Sequence, residues 1–211
     1  VDKGEAWAQD TMAVWYRDGT YGLKQSYVMA RMLYEKAVAQ GDPEAMFDLG
    51  CMYDTGRGVD QSFKKAAELY TMAAEQGNVS AMFNLGNGYR DGEGVEQSFK
   101  EAIEHFTMAA ERGHVSAMVN LGALYFQGPG VAQSFDQARE WWTKAANEGH
   151  EGAIKNLKIL DEQEAKTATT PTLTTTTTTI SSSQFCATCN TPQTTDHKLN
   201  RCKCHSVYYC N

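Results

Sequence analysis

An all-α array of stacked helical hairpins is the fold class this sequence predicts, and three observations predict it. The first is repetition: Ala45, Ala81, Ala117 and Ala153 stand 36 residues apart, and each opens nearly the same text. The segments AMFDLGCMYDTGRGVDQSF, AMFNLGNGYRDGEGVEQSF and AMVNLGALYFQGPGVAQSF align without a gap. An earlier copy, Ala8 to Gly41, fits with one extra residue before Leu23. The second is spacing within a copy. Met46, Leu49 and Tyr53, answered by Met82, Leu85 and Tyr89, recur at the period of an α-helix. The third is punctuation, because glycine pairs close one helix and single glycines close the next. Self-similarity at a fixed period of this size marks a stacked repeat array, which directs attention to an extended binding surface.

Each unit reads as two antiparallel helices. The first begins after a cap at Asp42, Asn78, His114 or His150; Asp and Asn accept bonds from first-turn amides, and Pro43 suits the first helical position. Gly50, Gly86 and Gly122 fall inside this helix, where glycine costs roughly 1 kcal/mol relative to alanine. Close approach of a neighbouring helix is the expected return. The helix ends at Gly56 and Gly58, Gly92 and Gly94, or Gly128 and Gly130, and Val59, Val95 and Val131 then plug the gap between the helices. The second helix starts after Ser62, Ser98 or Ser134; Ser98 with Glu101 and Ser134 with Gln137 have capping-box spacing. Its buried stripe runs Ala66, Leu69, Tyr70 and Ala73, through to Ala138, Trp141, Trp142 and Ala145, and Gly77, Gly113 and Gly149 stop it. From His150 to about Ala165 the first helix stands alone. There Lys158 replaces the packing glycine and Asp161 the buried tyrosine, as a terminal capping element requires. At the other end, Val1-Asp2-Lys3-Gly4 reads as the tail of a preceding repeat helix, so the natural start is expected upstream.

The pattern A-x-x-x-L-G-x-x-Y-x-x-G-x-G-V-x-x-S-x-x-x-A, closed by A-A-x-x-G, resembles the Sel-one-like repeat over roughly residues 5 to 165. This is a relative of the tetratricopeptide repeat with a longer inter-helix loop. The resemblance implies a right-handed α-solenoid that serves as a scaffold in protein complexes, with no chemistry of its own. Gln-Ser stands here where that family often has Asp before the second helix.

Composition narrows the function further. With 19 basic and 26 acidic residues the formal net charge is −7, which speaks against broad nucleic-acid binding through phosphate neutralisation. No apolar run approaches bilayer length, so no membrane partner is expected. The repeats contain no nucleophile–base–acid set, and their G-x-G closes helices rather than cradling phosphate, so the protein is not expected to be an enzyme.

Several repeat residues invite a binding role. Asp48, Asn84, Asn120 and Asn156 form a polar ladder, one per first helix. It could grip a partner's backbone, or each rung could bond a loop carbonyl in its own repeat; near-identity at every rung favours the structural role. His105 replaces Leu69 and Trp141 and is expected to be solvated. Trp141 and Trp142 read as core filling rather than a partner anchor, and Cys51 as a small buried residue. Asn78-Val79-Ser80 matches a glycosylation sequon, but Asn78 is already needed as a cap.

After the repeats, residues 166–184 are almost entirely Thr and Ser, too polar to offset ordering entropy, and are expected to form a disordered linker. A tether of about 20 residues spans roughly 25 Å as a flexible coil. Residues 185–211 hold Cys186, Cys189, Cys202, Cys204 and Cys210. A tight cluster opening with C-x-x-C reads as thiolate metal ligands in a reducing compartment, cytoplasmic or nuclear. Leu199-Asn200-Arg201-Cys202, Cys204 and Val207-Tyr208-Tyr209-Cys210 resemble the MYND zinc finger. That resemblance implies two interleaved zinc ions, with Cys186, Cys189 and Cys210 on one and Cys202 and Cys204 on the other. It also implies a preference for short proline-containing peptides. The second pair is C-x-C rather than C-x-x-C, and the final ligands of the family pattern are expected beyond Asn211; His205 or His197 could instead complete a single mixed site. A RING-type finger, Cys186-x-x-Cys189 with Cys202-x-x-His205, is the competing reading and would imply a ubiquitin-ligase component. The non-catalytic part of a larger methyltransferase is a further alternative. The sequence as a whole therefore predicts three segments: a repeat array over 1–165, a linker over 166–184 and a partial zinc finger over 185–211. Together they predict an adaptor whose solenoid binds other proteins or extended peptides.

Overall fold

The computed structural model describes residues 3–169. Among them are nine α-helices and no strand: α1 Lys3–Asp18, α2 Tyr27–Ala39, α3 Pro43–Thr55, α4 Phe63–Glu75, α5 Val79–Asp91, α6 Phe99–Glu111, α7 Val115–Gln127, α8 Phe135–Asn147 and α9 Glu151–Thr169. They pair as four hairpins, α1–α2 to α7–α8, and the second helix of each packs on the first helix of the next. The chain divides after Ala165, and the residues up to it form one compact unit. No described helix is long and apolar enough to cross a membrane. The linker expected over 166–184 lies outside the described residues from residue 170, as does the whole of the cysteine-rich segment.

Helix starts follow the sequence. The Asp42 carboxylate accepts from the Glu44 and Ala45 amides, and Asn78 Oδ1 accepts from the Ala81 amide at 2.8 Å. His114 and His150 do the same through Nδ1, each accepting from the amide three residues on at 3.2 Å. An imidazole can cap in this way only while that nitrogen is unprotonated. Burial pushes the His114 pKa below its ordinary value, which keeps the acceptor available. Ser62, Ser98 and Ser134 cap the second helices through Oγ.

The capping box expected at Ser98 and Ser134 forms only one arm. The backbone N–H that Glu101 or Gln137 would satisfy is already taken: Ser98 donates to the Tyr89 carbonyl and Ser134 to the Tyr125 carbonyl, as Ser26 and Ser62 do to Tyr16 and Tyr53. Beside each serine a glutamine completes a clasp. The side-chain amides of Gln25, Gln61, Gln97 and Gln133 donate to the carbonyls of Arg17, Asp54, Arg90 and Phe126, at 2.7–2.8 Å. Gln-Ser thus satisfies the orphan carbonyls ending one helix and the orphan amides starting the next, which fixes the loop between them.

The helical glycines sit where helices touch. A Cβ built at Gly50 would lie 2.7 Å from the Tyr70 ring, and one at Gly86 would lie 2.7 Å from the Phe106 ring; Gly122 faces Trp142 in the same way. Absence of a side chain lets one aromatic per hairpin seat against the opposite backbone. Phe106 and Tyr34 are fully buried, and full burial of a side chain of this size stabilises by roughly 1.5–3 kcal/mol. Three core clusters each cross a repeat boundary: one joins α1, α2 and α3, the next α3, α4 and α5, and the last runs to Leu160 of α9. No hairpin hides its apolar surface alone.

The two ends depart from expectation. Lys3 and Gly4, read from the sequence as the tail of a preceding helix, are the first residues of α1. Gly4 occupies the register of Gly41, but no capping Asp-Pro follows it, so nothing interrupts the helix. At the other end α9 continues four residues past the boundary expected at Ala165, to Thr169. Extending an existing helix costs little per residue. Arg139 on α8 clamps this helix, reaching Asp161 and Glu164 at 2.7 Å each. The extra residue of the first copy is absorbed at Tyr21, whose φ of 54° is left-handed and whose ring packs tilted against Trp15, with ring centres 4.6 Å apart.

Candidate functional site: the face of the first helices

The polar ladder does not bond within its own repeat, contrary to the sequence reading. Asp48, Asn84 and Asn120 each reach back one repeat. The Asp48 carboxylate accepts from Arg17 Nη1 and from the Tyr34 hydroxyl, both at 2.9 Å. Asn84 Nδ2 points at Cys51 Sγ, 3.9 Å away, and Asn120 Nδ2 donates to Asn87 Oδ1 at 3.3 Å. Consecutive first helices lie side by side, so a residue on one finds its polar neighbour on the helix before it. A one-dimensional pattern carries no information about that direction.

Between these helices run clefts. One, of about 90 Å³, lies at the junction of hairpins 2 and 3 and is lined by Asp54, Phe63, Tyr70, Asn84, Asn87 and Glu93, among others. Another, of about 160 Å³, lies where hairpin 4 meets α9 and is lined by Ala123, Phe126, Gln127, Trp142, Asn156 and Ile159. Asp54 and Phe126, Tyr70 and Trp142, Asn84 and Asn156, and Asn87 and Ile159 are equivalent positions two repeats apart. The two clefts are therefore one structural feature with different linings. The first carries two carboxylates and the second carries no charge.

Asp54 makes no ion pair, and burial pushes its pKa up. At the equivalent position of hairpin 1 stands Arg17, whose guanidinium links Asp48 and Tyr34 (Nη1 to Tyr34 Oη 3.2 Å). Near it, Asp10 keeps one buried carboxylate oxygen without a hydrogen-bond partner. Its pKa is pushed up to about 6, first by burial and then by the charges of Asp48, Asp42 and Glu44, with Arg17 opposing.

Other residues singled out by sequence resolve as follows. His105 is half-buried rather than solvated, lying parallel to the Tyr89 ring at 5.3 Å with its Nδ1 unpartnered; burial pushes its pKa down. Trp142 is core, its indole N–H donating to the Val119 carbonyl at 3.1 Å. Trp141 is half-buried under Lys144, whose ammonium sits 4.1 Å from the ring centre. Cys51 is half-buried, accepts from the Tyr70 hydroxyl at 3.5 Å, and has its pKa pushed up by burial. Asn78 is buried and its Oδ1 caps α5, whereas an acceptor of sugar would be exposed. Among the described residues no cluster of three His, Cys, Asp or Glu could hold a metal. Cys186, Cys189, Cys202, Cys204 and Cys210 lie outside those residues.

Sequence reasoning missed Arg17 and the four clasp glutamines. The glutamines were visible as an invariant Gln before each Ser. Arg17 left no signal, because Asp54 and Phe126 hold its position in two other copies, and Arg90, which shares its chemistry, faces the neutral ladder residue Asn120 and pairs with Asp91.

A family model for the Sel1 repeat matches residues 8–42, 43–78, 79–114 and 115–150. Among solved structures the chain is similar to c5321, a protective antigen of uropathogenic Escherichia coli strains displaying an SLR fold, at 33% identity and a TM-score of 0.69. That match covers 72% of this chain and 32% of that one. It is also similar to a Sel1 repeat protein from Oxalobacter formigenes, at 31% identity and a TM-score of 0.67, over 70% of this chain and 60% of that one. Immunity protein Pa5087 from Pseudomonas aeruginosa shares the fold at 24% identity and a TM-score of 0.50, over 70% of this chain and 55% of that one. The chain thus spans about a third of the length of the first and about 60% of the second. No match was found among curated proteins.

Proposed function

The chain belongs to the Sel1 repeat family, and on that footing we propose that it is a non-catalytic adaptor that holds an extended segment of another protein along the face of its first helices. Sel1 repeat arrays typically serve as protein-interaction scaffolds. The observation that carries the reading here is the recurrence of one cleft at two junctions, each lined by a ladder asparagine and an aromatic ring. A peptide laid across stacked helices meets such clefts in series, and each contributes a small pocket for one side chain. Cross-linking of the full chain to its cellular partners, compared with Asn87→Arg and Ala123→Arg, tests it. Both variants should lose the same partners while keeping wild-type helicity; unchanged partners in both would remove this face as the binding surface.

The same proposal extends to the tail as a second recruiting module. Donor chemistry fits zinc, since five cysteines supply soft thiolates and begin with a C-x-x-C pair. Cys186, Cys189 and Cys210 would hold one ion and Cys202 and Cys204 another, leaving one and two coordination positions for other donors. Bound zinc would cross-link a segment too short to build its own core. Native mass spectrometry of the reduced full chain should count zinc, and Cys186→Ser with Cys189→Ser should lower the count; zero zinc in the wild type would sink the finger.

A further inference from the structure

We infer that the cleft between hairpins 2 and 3 is a subsite for a lysine or arginine side chain of the bound segment, and that the cleft between hairpin 4 and α9 takes a bulky apolar side chain of the same segment. This rests on the adaptor reading and deepens it by naming the chemistry of the client.

The array supplies its own template. At the junction of hairpins 1 and 2, the position equivalent to Asp54 is Arg17, and its guanidinium bonds the ladder carboxylate of Asp48 and the hydroxyl of Tyr34. There the chain brings cation and anion together itself. One junction on, the aromatic hydroxyl persists as that of Tyr70, the ladder residue is the neutral Asn84, and the arginine is replaced by Asp54. Glu93 adds a second carboxylate at the rim, and among the described residues these are the only charged groups lining the cleft. A carboxylate now stands where the cation stood, and no internal cation faces it. Asp54 is also partly desolvated with no ion pair to compensate, which a guest ammonium or guanidinium would supply. Phe63 and Leu85 offer apolar wall for the methylene stem of such a side chain. At the farther cleft the same positions are Phe126, Trp142, Asn156 and Ile159; no charge lines it, and Ile159 is half exposed. The two clefts are two first-helix steps apart. A segment that fills both must therefore run extended past the intervening junction.

The test is selection of a random dodecapeptide library on the full chain at low salt, followed by fluorescence anisotropy of the selected peptides. Enrichment of peptides that carry both a basic residue and a bulky apolar one is expected. Glu93→Lys and Asp54→Lys should each weaken those peptides by about tenfold, the scale of one charge-assisted contact. Replacing the peptide's basic residue with norleucine should produce the same loss in the wild type and none in the variants. Because Glu93 is exposed, its variant cannot fail merely by unfolding the array. Peptides that are selected without a basic residue, or that bind Glu93→Lys as tightly as wild type, overturn the subsite and leave the adaptor standing. No enrichment over the bare support overturns both.

Discussion

Where hairpin 1 meets hairpin 2, Arg17, Tyr34 and Asp48 close on one another; where hairpin 2 meets hairpin 3, Asp54, Tyr70 and Asn84 stand around a cleft. The backbone frame is the same at both. A second-helix tyrosine occupies each junction, a Gln-Ser clasp sets each loop, and a ladder residue looks back one repeat. Of the three residues named at each junction, two differ in kind. Exchanging an arginine for an aspartate at one position and an aspartate for an asparagine at another turns a self-satisfied joint into an open acidic one. The solenoid can therefore vary recognition from junction to junction without disturbing the packing that holds it up, because the variable positions lie beside the aromatic contact and not in it.

The strongest way to break the comparison is to remove the side chain at the shared position. Arg17→Ala leaves the Asp48 carboxylate, about one fifth exposed, without its cation. Chemical denaturation should show a loss of about 2 kcal/mol, below the cost for a fully buried pair because both partners touch solvent. Asp54→Ala should cost nothing measurable, since that carboxylate is already disfavoured by burial. Equal losses at the two sites would mean that the junctions are energetically alike.

A gentler test converts one junction into the other. Asp54→Arg with Asn84→Asp installs the first junction's pair in the second. The double variant should exceed the sum of its single variants by about 1 kcal/mol in a double-mutant cycle, and it should lose affinity for basic peptides. Additive single effects would show that the frames are not equivalent.

The smallest effect concerns the cost of crowding acids at the first junction. Asp10 has its pKa pushed up to about 6, above the value near 3.9 of an unfolded chain. A raised carboxyl pKa contributes stability that is complete below about pH 4 and is lost as pH rises through 6. Asp10→Asn should therefore be more stable than wild type at pH 7 by about 1 kcal/mol or less, since Asp10 is partly solvated. The advantage should vanish near pH 4. A gap that does not change with pH would assign the effect to shape rather than charge.

Much of this architecture was legible in advance because it is local. Caps at Asp42, Asn78 and Ser62, the left-handed glycines that close the first helices, and the glycine-to-aromatic seat at Gly50 and Gly86 each depend on residues within one hairpin. The capping box half failed for a reason equally local but not written in the spacing: the serine amide had a better partner in the preceding helix. His105 was misjudged because the repeat gave its position but not the ring of Tyr89 lying parallel to it.

What the chain of letters determined is the hairpin, its period and its stacking, since apolar faces at helical spacing have nowhere to go except against the next copy. What only the tertiary structure decided is which side chains from different repeats become neighbours. The ladder's backward reach, the Arg17–Asp48–Tyr34 joint and the opposed linings of two equivalent clefts all arise across a boundary of about one repeat. There the geometry is set by helix-on-helix packing, and no residue's own neighbours in sequence specify it.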